Sequence, residues 1–188
     1  MQWLDHVAAI PHGAIRLAWA AHVDDAFAER VIEMCEDFGW SMDQAGHVMA
    51  CIAFESGRTF SPEIQNAAGS GATGLIQFMP ATARGLGTTT DELAGMTPTR
   101  QLDYVQDYFQ PYHRRIRTLP DMYMAILLPK YVGEPGGSVL FSGGIAYRQN
   151  AGLDANSDGK ITKDEASAKV QNMLVEGQRP ANSRLIAP

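Results

Sequence analysis

FESGRTFSPEIQNAAGSGATGLIQFMP, residues 54–80, is the stretch that decides how this chain is read. It opens with Glu55 at the end of an apolar helical pattern and closes on small residues leading into a Gly-Leu-Ile-Gln block. Upstream, Ser41 followed by Gln44 has the spacing of a capping box, and Ala45, Val48, Met49 and Ile52 recur at helical intervals. Glu55 extends that stripe two turns beyond Val48. Gly57 supplies the stop, because a residue just past a helix end often takes a left-handed backbone that glycine adopts without steric cost. These signals predict a helix over 42–55 with Glu55 in its last turn. An anion there faces the negative end of the helix dipole, at a cost of up to about 1 kcal/mol. Partial burial adds to it. Both effects disfavour the ionised form and raise the pKa, which a carboxylic acid needs if it is to donate a proton near neutral pH. The bland alternative is a solvated glutamate at a frayed helix end.

After the glutamate, Ser70, Gly71, Ala72, Thr73 and Gly74 form a small-residue loop running into Leu75, Ile76, Gln77, Phe78, Met79 and Pro80. With Glu55 ahead of it, this pattern resembles the lysozyme-like lytic transglycosylases and goose-type lysozymes of glycoside hydrolase family 23. Their Glu-Ser pair matches Glu55 and Ser56, their Gly-Leu-Met-Gln block matches Gly74, Leu75, Ile76 and Gln77, and their Pro-x-Thr-Ala step matches Pro80, Thr82 and Ala83. The resemblance spans roughly residues 43–130. It implies a mainly α, lysozyme-like helical domain that cleaves the β-1,4 bond between N-acetylmuramic acid and N-acetylglucosamine in peptidoglycan, leaving 1,6-anhydromuramoyl ends. Glu55 would act first as general acid and then as base. Ser56, Gly74 and Gln77 would hold the acetamido and sugar groups, and Phe78 would pack on a sugar face. The family's Ala-Tyr-Asn-Ala-Gly block has no clean counterpart, so either Tyr123, within 122–129, or Tyr147, within 146–152, is the tyrosine at the substrate. A water-using glycosidase ordinarily needs a second carboxylate, for which Glu63 and Asp103 qualify by type alone. A hydrolytic lysozyme of the same fold and a noncatalytic, calcium-stabilised wall-binding or virion protein stay open as alternatives.

Toward the C-terminus, Asp154, Asn156, Asp158, Gly159, Ile161, Thr162 and Glu165 fill the diagnostic positions of an EF-hand loop, which this segment resembles. Calcium takes hard oxygens, and the side chains of Asp154, Asn156, Asp158 and Glu165 with the Lys160 carbonyl would supply them. Gly159 would permit the sharp turn. A single loop with a short or absent preceding helix predicts one structural Ca2+ rather than a sensor. The competing reading is a solvated acidic turn ahead of a helix over 163–176, with Thr162 and Glu165 as another capping box.

The rest of the chain fits a compact enzyme. Its 188 residues, 45% hydrophobic and 19% charged, suffice for one domain with a sizeable core, and the net charge of −6 argues against nucleic acid as a partner. Peptidoglycan glycan strands are the expected partner, and the protein is expected to be a monomer or to associate with a virion. The apolar run at 122–128 is too short for a membrane span, and MQWLDHVAAIPHG at the start lacks the pattern of a secretory signal. That architecture suggests a bacteriophage lysin acting from the host cytoplasm on the cell wall at lysis, or a virion-associated one. Cys35 and Cys51 read as reduced buried thiols. Helices are predicted over 24–38, 42–55, 77–85, 91–94, 98–117 and 121–128, with Thr89 and Glu92 as a second capping box. His113, Arg114, Arg115 and Arg117 would close the long helix, and Tyr104, Tyr108, Phe109 and Tyr112 would form its core-facing stripe. A glycine-rich loop at 130–144 leads to the calcium segment. The division expected is a catalytic region at 1–145, a calcium-binding segment at 146–176 packed on the same domain, and a tail at 177–188.

Overall fold

A central helix is buried on nearly every side. In the computed structural model, which describes residues 14–186, helix α1 (Asp25–Phe38) starts at Asp24, whose carboxylate accepts from the Phe27 amide at 2.8 Å, and stops at Gly39 with φ 65°. Helix α2 (Met42–Glu55) follows. Its first turn is closed by Gln44, whose side chain accepts from the Ser41 amide at 3.0 Å, and its end passes through Ser56 into Gly57 at φ 60°. Ala45, Val48, Met49, Ala50, Cys51, Ile52 and Ala53 are all fully buried, so α2 is a core helix rather than a surface one.

Around α2 the chain adds α3 (Pro80–Gly85), α4 (Thr90–Ala94), α5 (Pro98–Phe109) and α6 (Leu119–Leu127), then α7 (Gly144–Asn150) and α8 (Lys163–Gly177). Helices α1, α6 and α8 pack directly on α2. The expectation of a mainly helical chain holds. Four three- or four-residue strands complete the order: β1 (Ile15–Leu17), β2 (Val139–Ser142), β3 (Lys160–Thr162) and β4 (Arg184–Ile186). Strand β2 pairs antiparallel with β3, placing Phe141 opposite Ile161, and β1 pairs antiparallel with β4 through Ile15↔Ile186 and Leu17↔Arg184.

Several expectations are corrected. The helix predicted over 98–117 ends at Phe109, because Pro111 lacks an amide proton and its ring crowds the carbonyl four residues back. The basic cluster therefore sits in successive turns after the helix and does not cap its end. The helix expected from residue 77 begins at Pro80, since Gln77 takes a left-handed backbone, φ 55°. Among the described residues, the chain beyond α8 is held in place. Strand β4 closes on β1, and the Trp19 ring lies so close to Gly177 that a Cβ there would come within 2.3 Å of it. The Trp19 indole donates to the Met173 carbonyl at 2.9 Å, fixing the same corner. Both cysteines are free and buried. No helix among the described residues is long and apolar enough to cross a membrane. The stretch on which the absence of a secretory signal was expected, residues 1–13, lies outside the described residues.

Candidate active site

Glu55 is delivered by the end of α2, half-buried, and burial pushes its carboxyl from an ordinary value of 4.5 up to about 7. Two tyrosines face it from other helices. Tyr123 of α6 is buried and meets Phe54 edge-on, ring centres 5.6 Å apart. Burial holds its hydroxyl well above the usual tyrosine range, and the Glu55 charge adds to the shift. Tyr108 of α5 donates to the Ala125 carbonyl at 2.6 Å and is pushed to about 12 by burial, then by Tyr112 and Glu55. Cys51, one turn before Glu55, is likewise raised by burial first and by Glu55 second. Glu55 thus sits among neutral, weakly polar groups, and among the described residues no other carboxylate contributes to its shift.

The loop after α2 is folded back by backbone pairing. Thr73 and Phe78 exchange amide hydrogen bonds at 3.0 and 2.9 Å, Gly74 donates to the Ile64 carbonyl at 2.8 Å, and Asn66 donates to Ala72 at 2.9 Å. A side chain the sequence reading missed holds this arrangement. Gln101 of α5 is fully buried; its oxygen accepts from the Leu75 amide at 2.7 Å, and its Nε2 donates to Pro62 at 3.0 Å and Leu93 at 2.8 Å. Gly74, at φ 85°, is where that pin passes: a Cβ would lie 2.3 Å from the Gln101 oxygen. Gln101→Leu should therefore leave the Leu75 amide and the Pro62 carbonyl without partners, while the Leu93 carbonyl keeps the Met96 amide, and destabilise the fold by about 2–4 kcal/mol. Urea denaturation measures this, and a loss below about 0.5 kcal/mol would refute the pinning role.

The other expected site residues divide. Gln77 borders the cleft and gives its Nε2 to the Ile64 and Gly74 carbonyls at 3.2 and 3.1 Å. Ser56 is buried, and its hydroxyl accepts from the Phe60 amide at 3.0 Å, which shapes the turn after α2. Phe78 is only 2% exposed and packs edge-on beneath Tyr108, which corrects its expected place on a sugar face. The exposed neighbour is Met79, on a small cleft of about 50 Å3 that Ile76, Gln77, Tyr108 and Ile126 also line. Of the two tyrosines, Tyr123 is brought to Glu55, while Tyr147 of α7 donates to Asp154 at 2.7 Å in the acidic loop. Asp103 is engaged by Arg30 at 2.9 Å and by Arg100, and Glu63 is exposed.

In the acidic loop, Gly159 has φ 82° at the turn. Asp154 accepts from the Asp158 and Gly159 amides at 3.3 and 3.0 Å, Asn156 accepts from the Asp158 amide at 2.9 Å, and Asp158 accepts from the Lys160 amide at 2.9 Å. Glu165 caps α8: its Oε2 accepts from the Thr162 amide and hydroxyl, which hold the carboxyl below its ordinary range. The Ala155 and Asn156 amides contribute to that lowering, yet neither gives the other oxygen a hydrogen bond of normal geometry. Oε1 is buried and unpartnered. Among the described residues no three His, Cys, Asp or Glu side chains converge into a metal cluster. The three carboxylates of the expected EF-hand set, Asp154, Asp158 and Glu165, are thus not gathered into such a cluster.

A glutamic acid at the end of a buried helix, its pKa raised to about 7, has what a proton donor or acceptor needs. Residues 41–126 match the family model of the Transglycosylase SLT domain, which runs from the cap of α2 to the last turn of α6 and includes Glu55, the Gly74 loop and Tyr123. With this domain the chain is a lytic transglycosylase enzyme acting on peptidoglycan. No curated protein matches the chain.

Proposed function

We propose that the chain cleaves the β-1,4 bond between N-acetylmuramic acid and N-acetylglucosamine and leaves 1,6-anhydromuramoyl ends. Glu55 gives its proton to the glycosidic oxygen as the bond to C1 breaks, so N-acetylglucosamine departs with a free 4-hydroxyl. The resulting Glu55 carboxylate then takes the proton of the same muramoyl 6-hydroxyl, and O6 bonds to C1 to close the anhydro ring. Glu55 ends protonated, ready for another cycle. The observation that carries this reading is a carboxyl at about 7, delivered by the end of a core helix, to whose shift no second carboxylate among the described residues contributes. A group that must both give and take a proton works best with a pKa near the operating pH. Hydrolysis by the usual two-carboxylate route lacks a partner, since Asp103 is tied to Arg30 and Glu63 lies on the exposed loop. Gln77 and the Gly74 backbone border the substrate, and Tyr108 and Tyr123 keep water from the carboxyl.

The acidic loop is read as a structural calcium site held by the side chains of Asp154, Asn156, Asp158 and Glu165 and the carbonyl of Lys160. The buried, unpartnered Glu165 Oε1 supports it, because a bidentate glutamate is what the last position of such a loop supplies. Calcium there would neutralise the loop carboxylates. Mass spectrometry of wall fragments tests the reaction: anhydromuramoyl ends are expected, and reducing muramoyl ends would replace this reading with a hydrolytic one.

A further inference from the structure

The matched domain ends at residue 126, and a buried ion pair is among the contacts that join it to the segment beyond. Lys163, the first residue of α8, reaches Asp121 in the first turn of α6, Nζ to Oδ1 at 2.5 Å, with both side chains nearly inaccessible. Lys163 also donates to the Glu134 carbonyl at 2.8 Å and the Tyr131 carbonyl at 3.3 Å, so each ammonium proton has an acceptor. Asp121 accepts in addition from the Gly133, Arg117 and Thr118 amides and from the Thr118 hydroxyl at 2.9–3.2 Å. Removing two charges from water costs several kcal/mol each, so a pair of this kind is a weak source of net stability. Its distinctive effect is to fix geometry.

That geometry leads to the active site. Asp121 stands two residues before Tyr123 on the same short helix, and the far end of α6 is held where Tyr108 donates to Ala125. Beside the start of α6, a cavity of about 830 Å3 bordered by Arg114, Arg117 and Glu134 leaves that end without packed neighbours on one side. Buried Leu119 and Met122 hold that end on its core side, and the polar contacts hold it toward the cavity. Helix α8, which carries Lys163, lies on both α6 and α2, and α2 ends in Glu55. The groups that face Glu55 are Cys51 from its own helix, Tyr108 from α5 and Tyr123 from α6, while nearby Arg58 is engaged with Glu176 of α8 at 2.7 Å. A slip of α6 would therefore open the tyrosine side of the carboxyl to water.

We propose that Asp121 and Lys163 are a positioning pair that sets Tyr123 against Glu55. This rests on the role given to Glu55 above, so the primary readout does not require turnover. The 13C resonance of the Glu55 side-chain carboxyl, assigned by its loss in Glu55→Gln, is titrated in the full chain. Lys163→Met is the first variant, because Asp121 keeps four donors and still caps α6. Asp121→Asn with Lys163→Met, which removes both charges, is the second. Val170→Ala, a cavity in the buried face of α8, controls for lost stability alone. In both pair variants the Glu55 midpoint should fall by roughly half a pH unit or more as the carboxyl becomes hydrated, with the alkaline limb of wall cleavage following it. Val170→Ala should melt earlier with the midpoint in place. If either folded pair variant keeps the wild-type midpoint, or Val170→Ala shifts it equally, the positioning role is overturned. A wild-type protein that cleaved no wall would sink the proposed reaction and leave the titration to decide the pair.

Discussion

Replacing Glu55 by glutamine should lower the wall-cleaving rate by about 10²–10⁴-fold, the range for loss of a general acid or base, while making the protein more stable at alkaline pH. The two effects share one cause. Glutamine has the size of the acid but no proton to give, so neither departure of the 4-oxygen nor activation of the 6-hydroxyl is assisted. The stability effect follows from linkage. In the folded chain the carboxyl titrates at about 7, against 4.5 as an ordinary group, so between those values the folded state holds a proton that the unfolded state has released. Stability attached to this group is fully present below pH 4.5, falls by about 1.4 kcal/mol per unit as pH rises toward 7, and changes no further above that. After allowance for its partial exposure, wild type gives up about 2–3 kcal/mol by pH 8 that Glu55→Gln retains. For a chain of this size that corresponds to about 5–10 °C in melting temperature at pH 8, with no gain at pH 4. Calorimetry at both pH values checks the sign, and a variant whose advantage over wild type is no larger at pH 8 than at pH 4 would show that Glu55 is not buried as a neutral acid. Activity should fall as pH rises past about 7, where the acid form is depleted.

The elements that carry Glu55 were legible because their signals are local. The Ser41 and Gln44 cap, the apolar stripe and Gly57 place α2 at Met42–Glu55, the bounds expected from spacing. The Thr162 and Glu165 box and the Thr89 and Glu92 box are likewise present. What escaped was assembled from distant parts. Gln101 looks like an ordinary polar residue on an amphipathic helix, and only the folded chain brings Pro62, Leu75 and Leu93 to its amide. Tyr108 was assigned to a core stripe, and it does pack there, but the Glu55 charge adds to the shift of its hydroxyl. Phe78 was placed outward on motif position alone. The left-handed turn at Gln77 redirects the chain and buries Phe78. Strand β4 has three residues and a partner near the other end of the chain, so no window of sequence could show it. Pro111 was a visible breaker inside the predicted long helix, and the helical periodicity of its neighbours masked it.

Stripping calcium should lower the melting temperature, and Glu165→Gln should abolish that dependence without changing the calcium-free value by more than about 2 °C. Glu165 has two separable jobs. Its Oε2 closes the capping box with Thr162, a role glutamine fills equally well. Its Oε1 is buried without a hydrogen bond, in a loop whose other carboxylates, Asp154 and Asp158, have no ion-pair partner among the described residues. A bidentate contact to a cation would satisfy that oxygen, which the Ala155 and Asn156 amides approach without a hydrogen bond of normal geometry. A cation bound by the folded loop but not by the unfolded chain stabilises by mass action, and at a concentration about 100-fold above its dissociation constant the gain for a chain this size is about 5–10 °C. Differential scanning fluorimetry with calcium and with a chelator, on wild type and Glu165→Gln, separates the two jobs. Equal melting in both solutions for wild type would remove calcium from the loop and leave Glu165 as a helix cap. A calcium-dependent rise that survives in Glu165→Gln would move the site elsewhere. Because Tyr147 donates to Asp154 at 2.7 Å, terbium bound in the loop should show tyrosine-sensitised emission that weakens in Tyr147→Phe and Asp154→Asn, which ties any thermal effect to this loop.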